Sequence, residues 1–176
     1  MAVLGIDDFK AKLKGGGARS NLFKATLNFP LFAGGDVELT SFMCEAAQLP
    51  GSTIGMIPVP FRGRILKIAG DRTFDDWTVN IINDTDFKIR NSFERWMNTI
   101  NAHSANTGLT NPASYMVDMF IEQLDKDGSS IKRYDFRGTF PIAVSPIEVS
   151  YGDQDTIERF QTTLAVQYWE DVAITT

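Results

Sequence analysis

Two scarcities exclude more chemistry than any motif in this chain. The 176 residues include one cysteine and one histidine. A lone Cys44 rules out an intramolecular disulfide framework and suits a reducing compartment. A lone His103 rules out a histidine-based metal cluster and leaves a Ser-His-Asp triad with a single candidate base. Basic residues are outnumbered, 17 Lys and Arg against 22 Asp and Glu, for a formal net charge of -5. That balance argues against an ordinary nucleic-acid binder, which neutralises phosphates with clustered cations. Long apolar runs are missing too. No stretch approaches the ~20 residues that cross a bilayer, and the opening MAVLGIDDFKAKLKGGG is too short in apolar residues for a signal peptide. The expectation is a protein made in the cytoplasm, soluble or assembled, with no membrane insertion.

The remaining chemical candidates are weak. His103 falls at the end of a predicted helix and reads as a surface residue at the favourable end of the dipole. Cys44 lies in a strand, where small buried cysteines are common. Gly15-Gly16-Gly17 lacks the Lys-Ser/Thr and the preceding strand of a phosphate loop. Asp153 and Asp155 lack the further ligands and closing Glu of a calcium loop and read as a turn. Asp75 and Asp76 are adjacent, and neighbours on a strand point to opposite faces. No enzyme, metal or cofactor is expected.

The composition is that of an ordinary globular chain, 43% hydrophobic and 22% charged, long enough for one domain over residues 1–176. Residues 1–18 mix acid and base before the three glycines and read as an arm on a flexible joint. In 20–29, Phe23, Ala25, Leu27 and Phe29 alternate with Leu22, Lys24, Thr26 and Asn28, a half-buried strand. Pro30 and Gly34-Gly35 break it before a second strand near 37–47. Residues 48–70 hold Pro50, Pro58 and Pro60 among Ile54, Met56, Ile57, Val59, Phe61, Ile65 and Leu66. Proline on extended backbone belongs at edges or in loops, so this is a long apolar loop that the same domain or another subunit must cover.

A strand is expected over 74–82, then a helix over about 85–102. Asp84 or Thr85 can cap that helix, and Ile89, Phe93, Trp96, Met97 and Ile100 form one apolar stripe. Residues 115–124 and 131–140 read as a hairpin around Asp127-Gly128. Strands over 147–151 and 156–169 flank the turn Gly152–Asp155. The fold class is mainly β: an antiparallel β sandwich or partial barrel with one flanking α-helix and a long extended loop. Trp77 and Trp96 belong to its core, and Trp169 to the core or to an interface.

The segment Ala69-Gly70-Asp71-Arg72-Thr73-Phe74-Asp75-Asp76-Trp77-Thr78-Val79 resembles the signature of the tail tube proteins of contractile-tailed, myovirus-type bacteriophages. Arg19–Phe23, Cys44–Gly51, Ile57–Phe61, Phe93–Trp96 and Thr163–Glu170 resemble other pieces of that family in the same order. The likeness covers nearly the whole chain, departing at an insert around Phe32–Asp36 and at the loop 106–112. It implies a β sandwich whose copies close into six-membered rings, each a ring-shaped barrel. The rings stack into a tube inside a contractile sheath, and DNA passes down it. The partners implied are the chain itself, the sheath, baseplate and tail-terminator proteins, and, transiently in the lumen, the tape measure protein and DNA. The place implied is the virion, after assembly in the host cytoplasm. The net charge of -5 per copy suits a conduit to which DNA must not stick.

Two residue sets carry this reading. Ile54, Met56, Ile57, Val59, Phe61, Arg62 and Arg64 from the apolar segment, with Asp71, Arg72 and Asp75, are assigned to contacts between subunits. The bases Arg62, Arg64 and Lys67 suit an acidic neighbouring subunit or the sheath. Thr78, Asn80, Gln161, Thr163, Ala165 and Gln167, the polar sides of two strands, are assigned to the lumen wall. The alternatives are a tube protein of a phage-derived injection or secretion system and, from another class, a monomeric β-sandwich binding module with an aromatic groove.

Overall fold

A computed structural model describes residues 5–172; the first four residues of the expected arm lie outside that range. In chain order the elements are α1 (Ile6–Lys12), β1 (Phe23–Thr26), α2 (Val37–Met43), β2 (Cys44–Ala47), β3 (Ser52–Phe61), β4 (Arg64–Phe74), β5 (Trp77–Ile82), α3 (Lys88–Ile100), α4 (Pro112–Tyr115), β6 (Val117–Leu124), β7 (Ser130–Val144), β8 (Arg159–Ala165) and β9 (Tyr168–Val172). Seven strands join in one antiparallel sheet of order β1-β6-β7-β8-β5-β2, with β9 also paired to β7. The hairpin β3–β4 forms a second sheet by itself.

The large sheet folds over on itself at β7. The first part of β7 pairs with β6 and, over Arg133–Arg137, with β9. Its last residues, Phe140–Val144, pair with β8. The corner between them is a bulge, because Arg137 and Gly138 together oppose Asp118. Gly138 has φ +61°, and a Cβ there would come within 2.8 Å of the Gln167 side chain, so glycine meets both the backbone and the space requirement. Strands that change sheets at bulges are how sandwiches make corners.

Between the two halves lies the core. Ala25, Met119, Ile121 and Phe136 enter it from one half, and Trp77, Val79, Ile81, Phe160 and Leu164 from the other. Trp77 stacks on Phe136 at 4.3 Å between ring centroids, which joins the two faces directly. α3 adds Ile89, Phe93 and Trp96, all buried, with Phe29 edge-on to both aromatic rings. The Trp96 indole N–H donates to the Tyr115 carbonyl at 3.0 Å, as a buried indole requires.

Several expectations need correction. The segment 37–47 begins as helix α2, because the Asp36 carboxylate accepts from the Leu39 N–H at 3.0 Å and caps it; only Cys44–Ala47 is strand. α3 starts at Lys88 rather than 85, since Phe87 adopts a left-handed φ of +52°. Asp84 still serves its first turn by accepting from the Lys88 N–H. Residues 147–151 form no strand, and 156–169 becomes two strands broken at Val166–Gln167. The expected loop 48–70 is a hairpin reaching to Phe74. Pro58 and Pro60 sit in β3, two residues apart and thus facing the same edge, where no partner strand needs their missing N–H groups.

Asp118 braces the corner: it accepts from the Gly138 N–H at 3.0 Å and from Arg137 at 2.7 Å. Partial burial would raise its pKa, but those donors outweigh it and hold the carboxyl below its ordinary range. A depressed folded-state pKa contributes stability above the unfolded value, about 3.9, that is lost as pH falls through the folded one. Asp118→Asn is therefore expected to be less stable than the parent at pH 7, with a smaller gap at pH 3. Urea unfolding at both pH values measures this, and a gap that does not change with pH contradicts it.

Candidate assembly site

The hairpin is the longest apolar stretch left uncovered among the described residues. All ten residues of β3 are exposed, as are most of β4. Cross-strand pairing sets its faces: Ile57 opposes Ile68, Val59 opposes Leu66 and Phe61 opposes Arg64, so these six share one side. Met56, Pro58 and Pro60 share the other with Ile65 and Lys67. Neither side is polar. A two-stranded hairpin alone in water is marginal, and apolar patches of this kind mark contact sites.

Of the residues expected between subunits, Ile54, Met56, Ile57, Val59 and Phe61 lie along β3, and Arg64, Asp71 and Arg72 along β4. Arg62 and Gly63 form the tip with φ +46° and +78°, the two positive values of a tight hairpin turn. Arg62 lies over the Phe61 ring at 5.3 Å. Asp75 is at the other end, in the link to β5, lining a small cleft with Asp76, Trp77 and the segment Gln48–Gly51. Asp71, Arg72 and Asp75 thus sit on the root half of the hairpin, whereas Arg62, Arg64 and Lys67 sit on the tip half. Among the described residues none of these six enters an ion pair.

What fixes the hairpin is its root, which the pattern of the sequence does not reveal. The Trp77 indole N–H donates to the Gln48 carbonyl at 2.9 Å, and the Trp169 indole N–H to the Gly51 carbonyl at 3.0 Å. Trp169 also meets Phe74 and Tyr134 edge-on, with centroids 6.1 and 5.5 Å away. Trp77 is core, as expected; Trp169 is half-buried and clamps the outgoing and returning strands onto β9. The signal available in the sequence was the indole itself, since a tryptophan at a wet boundary needs an acceptor.

The second expected set is mostly brought together. Thr78 pairs with Thr163 and Asn80 with Gln161, and with Ala165 they share the side of β5 and β8 turned away from the buried Trp77, Val79, Ile81, Phe160, Thr162 and Leu164. Gln167 does not belong with them. It lies in the break between β8 and β9, its N–H donating to the Arg137 carbonyl, and beyond this bend the alternation reverses, leaving Trp169 packed and Tyr168 exposed. Ala46 and Ala143 oppose Asn80 and Thr163 and extend the same face with small residues. Its charged pair, Arg159 and Glu45, is joined at 2.7 Å. A denser charge ladder lies on the other half of the sheet, where Arg137 contacts Asp118, Asp135 and Glu170, Arg133 contacts Glu122 and Asp135, and Lys132 contacts Asp171.

His103 is exposed, and burial pushes the Cys44 thiol up to about 11, which keeps it protonated and poorly nucleophilic. Among the described residues no three His, Cys, Asp or Glu side chains converge to hold a metal. The family model for phage tail tube proteins matches residues 17–171, and the chain belongs to that family of structural virion proteins. It is 31% identical over 167 residues to the tail tube protein gp19 of Enterobacteria phage T4, covering 94% of this chain and 99% of that one. With the tail tube protein of Serratia phage KSP90 it shares 28% over 173 residues, 96% of each chain.

Its fold is also that of solved contractile-system proteins. A chain of the PVC extracellular contractile injection system sheath–tube complex aligns with TM-score 0.65 and 12% identity, covering 97% of this chain and 99% of that one. The tube-terminating cap of the anti-feeding prophage gives 0.65 at 16%, covering 89% and 91%. At those identities the likeness is one of fold.

The clamp at the root generates a test. Trp169→Phe keeps the aromatic packing and removes one hydrogen bond, so global stability is expected to fall by about 0.5–1.5 kcal/mol. Proteolytic cleavage within 52–74 is expected to accelerate. Unchanged stability and unchanged cleavage would mean that the indole does not hold the hairpin.

Proposed function

We propose that copies of this chain polymerise as stacked six-membered rings into the inner tube of a contractile phage tail, the channel for DNA delivery. The observation that carries this is the uncovered hairpin: its two apolar sides, rooted by two indole clamps, have no covering element among the described residues of their own chain. Packing against a neighbouring copy buries them at roughly 25 cal/mol per Å2 of apolar surface. Head-to-tail contacts of this kind close into rings or extend into filaments, and a tube uses both. Asp71, Arg72 and Asp75 then meet partner charges at the root, and Arg62, Arg64 and Lys67 meet acidic surface at the tip. The sheath surrounds the tube, baseplate and terminator proteins meet its two ends, and the tape measure protein and DNA occupy the lumen in turn. Assembly takes place in the host cytoplasm, and the finished tube is part of the virion.

The face carrying Thr78, Asn80, Gln161, Thr163 and Ala165 is the lumen wall in this reading. It is small, polar and uncharged except for Arg159, which Glu45 neutralises, so it offers hydrogen bonds to water and no free cation to hold a phosphate. Gln167 lies off this face, in the break between β8 and β9.

Removing residues 53–63 is expected to leave a folded monomer that forms no tubes even when seeded with baseplates, because these side chains bury nothing within the chain. Circular dichroism and electron microscopy report the two halves of that statement. Loss of the fold, or normal tubes, would show that the hairpin is not the contact. Gln161→Lys combined with Thr163→Lys is expected to permit tubes but to slow DNA ejection, most at low ionic strength where screening is weak. Ejection at the parental rate would remove this face from the lumen.

A further inference from the structure

A second pair of uncovered apolar surfaces lies far from the hairpin in the sequence, and the two match each other. In α1, Ile6, Phe9 and the capping Leu13 recur at i, i+3 and i+7, one side of a helix. None of the helix is buried: Ile6 is 71% and Phe9 64% exposed. Three glycines, Gly15–Gly17, then join it to the body, and the chain is next held where Gln123 donates to the Arg19 and Leu22 carbonyls. Elsewhere, β1 is the last strand of the large sheet, and between it and α2 runs a groove of about 630 Å3. Phe23, Val37, Phe42 and Leu124 give it an apolar floor, with Lys24 and Glu38 on its rim. Phe42 is 79% exposed, which is exceptional for a phenylalanine in a short helix beside the core.

We propose that α1 of one copy docks in the α2–β1 groove of a second copy, so that the N-terminal arm straps neighbouring subunits together. No residue of α1 lines the groove of its own chain. The volume is in the range, about 300–1,000 Å3, of pockets that enclose small ligands, enough for the side chains of Ile6 and Phe9. Charge complementarity favours one direction of entry, although Asp7 and Lys10 also pair with each other at 3.8 Å. α1 carries Asp7 and Asp8 in its first turn and Lys10 and Lys12 in its last, and the rim offers one cation, Lys24, and one anion, Glu38. Neither rim residue has an ion-pair partner among the described residues. The acidic end of α1 therefore lies toward Lys24 and the basic end toward Glu38. The glycine joint lets the helix leave its own body without straining it. This strap rests on the reading that copies of the chain assemble, and it uses a surface separate from the hairpin.

The experiment mixes two full-length single variants, Phe9→Cys and Phe42→Cys, under seeded assembly with mild oxidant. Each chain then carries one reactive thiol, since Cys44 is buried and stays protonated. The expected result is a disulfide-linked dimer in the mixture, forming on the order of tenfold or more faster than in either variant alone, as docking raises the local concentration. Adding Ile6→Asp to the Phe9→Cys chain should abolish the cross-link and leave the circular dichroism unchanged, because α1 buries nothing. Tubes that form without a cross-link overturn the strap and leave the tube reading standing. A double variant of one chain that closes on itself as a monomer overturns it too, by placing α1 in its own groove. Parental chains that never assemble overturn both proposals, since no second copy is then present to receive the arm.

Discussion

The hairpin of β3 and β4 has to be held in place by a few contacts at one end, because along its length it buries nothing. An isolated two-stranded ribbon is marginal in water, and this one carries apolar side chains on both faces. Its position rests on the indole N–H groups of Trp77 and Trp169, which bind the carbonyls of Gln48 and Gly51, and on Phe74 against the Trp169 ring. Trp77 also stacks on Phe136 in the centre of the sandwich. The same side chain therefore joins the two halves of the core and anchors the hairpin, so core packing sets the angle at which the hairpin is presented. Rigid presentation lowers the ordering cost of binding.

The sandwich itself is arranged around one corner. β7 is shared by both halves, and the bulge at Arg137–Gly138 opposite Asp118 turns it from one to the other. This separates two kinds of outer surface. On one half, Arg133 and Arg137 sit in a ladder of carboxylates. On the other, Thr78, Asn80, Gln161 and Thr163 form an uncharged face beside the single Arg159–Glu45 pair. The two surfaces lie on the two halves of a single bent sheet.

Much of this is legible in the residues, and the failures have definite causes. Alternation over Trp77–Ile82 and Phe160–Ala165 marks which side chains are buried, since each strand has one wetter face, whereas in β1 Thr26 is buried alongside Ala25 and Leu27. The stripe of α3 is equally clear. The hairpin escaped because Pro58 and Pro60 read as strand breakers, yet both fall on an unpaired edge where a missing N–H costs nothing. α2 escaped because Val37, Leu39, Phe42 and Met43 look strand-like, and the decisive signal was the Asp36 cap. Ile147, Val149 and Tyr151 alternate well but find no partner strand, leaving Val149 and Tyr151 exposed. Gln167 was misplaced because periodicity cannot register a bend between β8 and β9. The family signature over Ala69–Val79 is now intelligible: it spans the root half of β4, the link with Asp75, and Trp77 itself.

Amide hydrogen exchange read segment by segment, on the monomer and on assembled tubes, tests most directly whether the hairpin is the surface that a second copy covers. In the monomer, residues 52–74 are expected to exchange far faster than β5 and β8, because their hydrogen bonds open without disturbing the core. On assembly the same residues should gain protection on the order of tenfold or more, while β5 and β8 change little. Protection of 52–74 equal to that of β5 in the monomer, or no gain on assembly, would contradict the account.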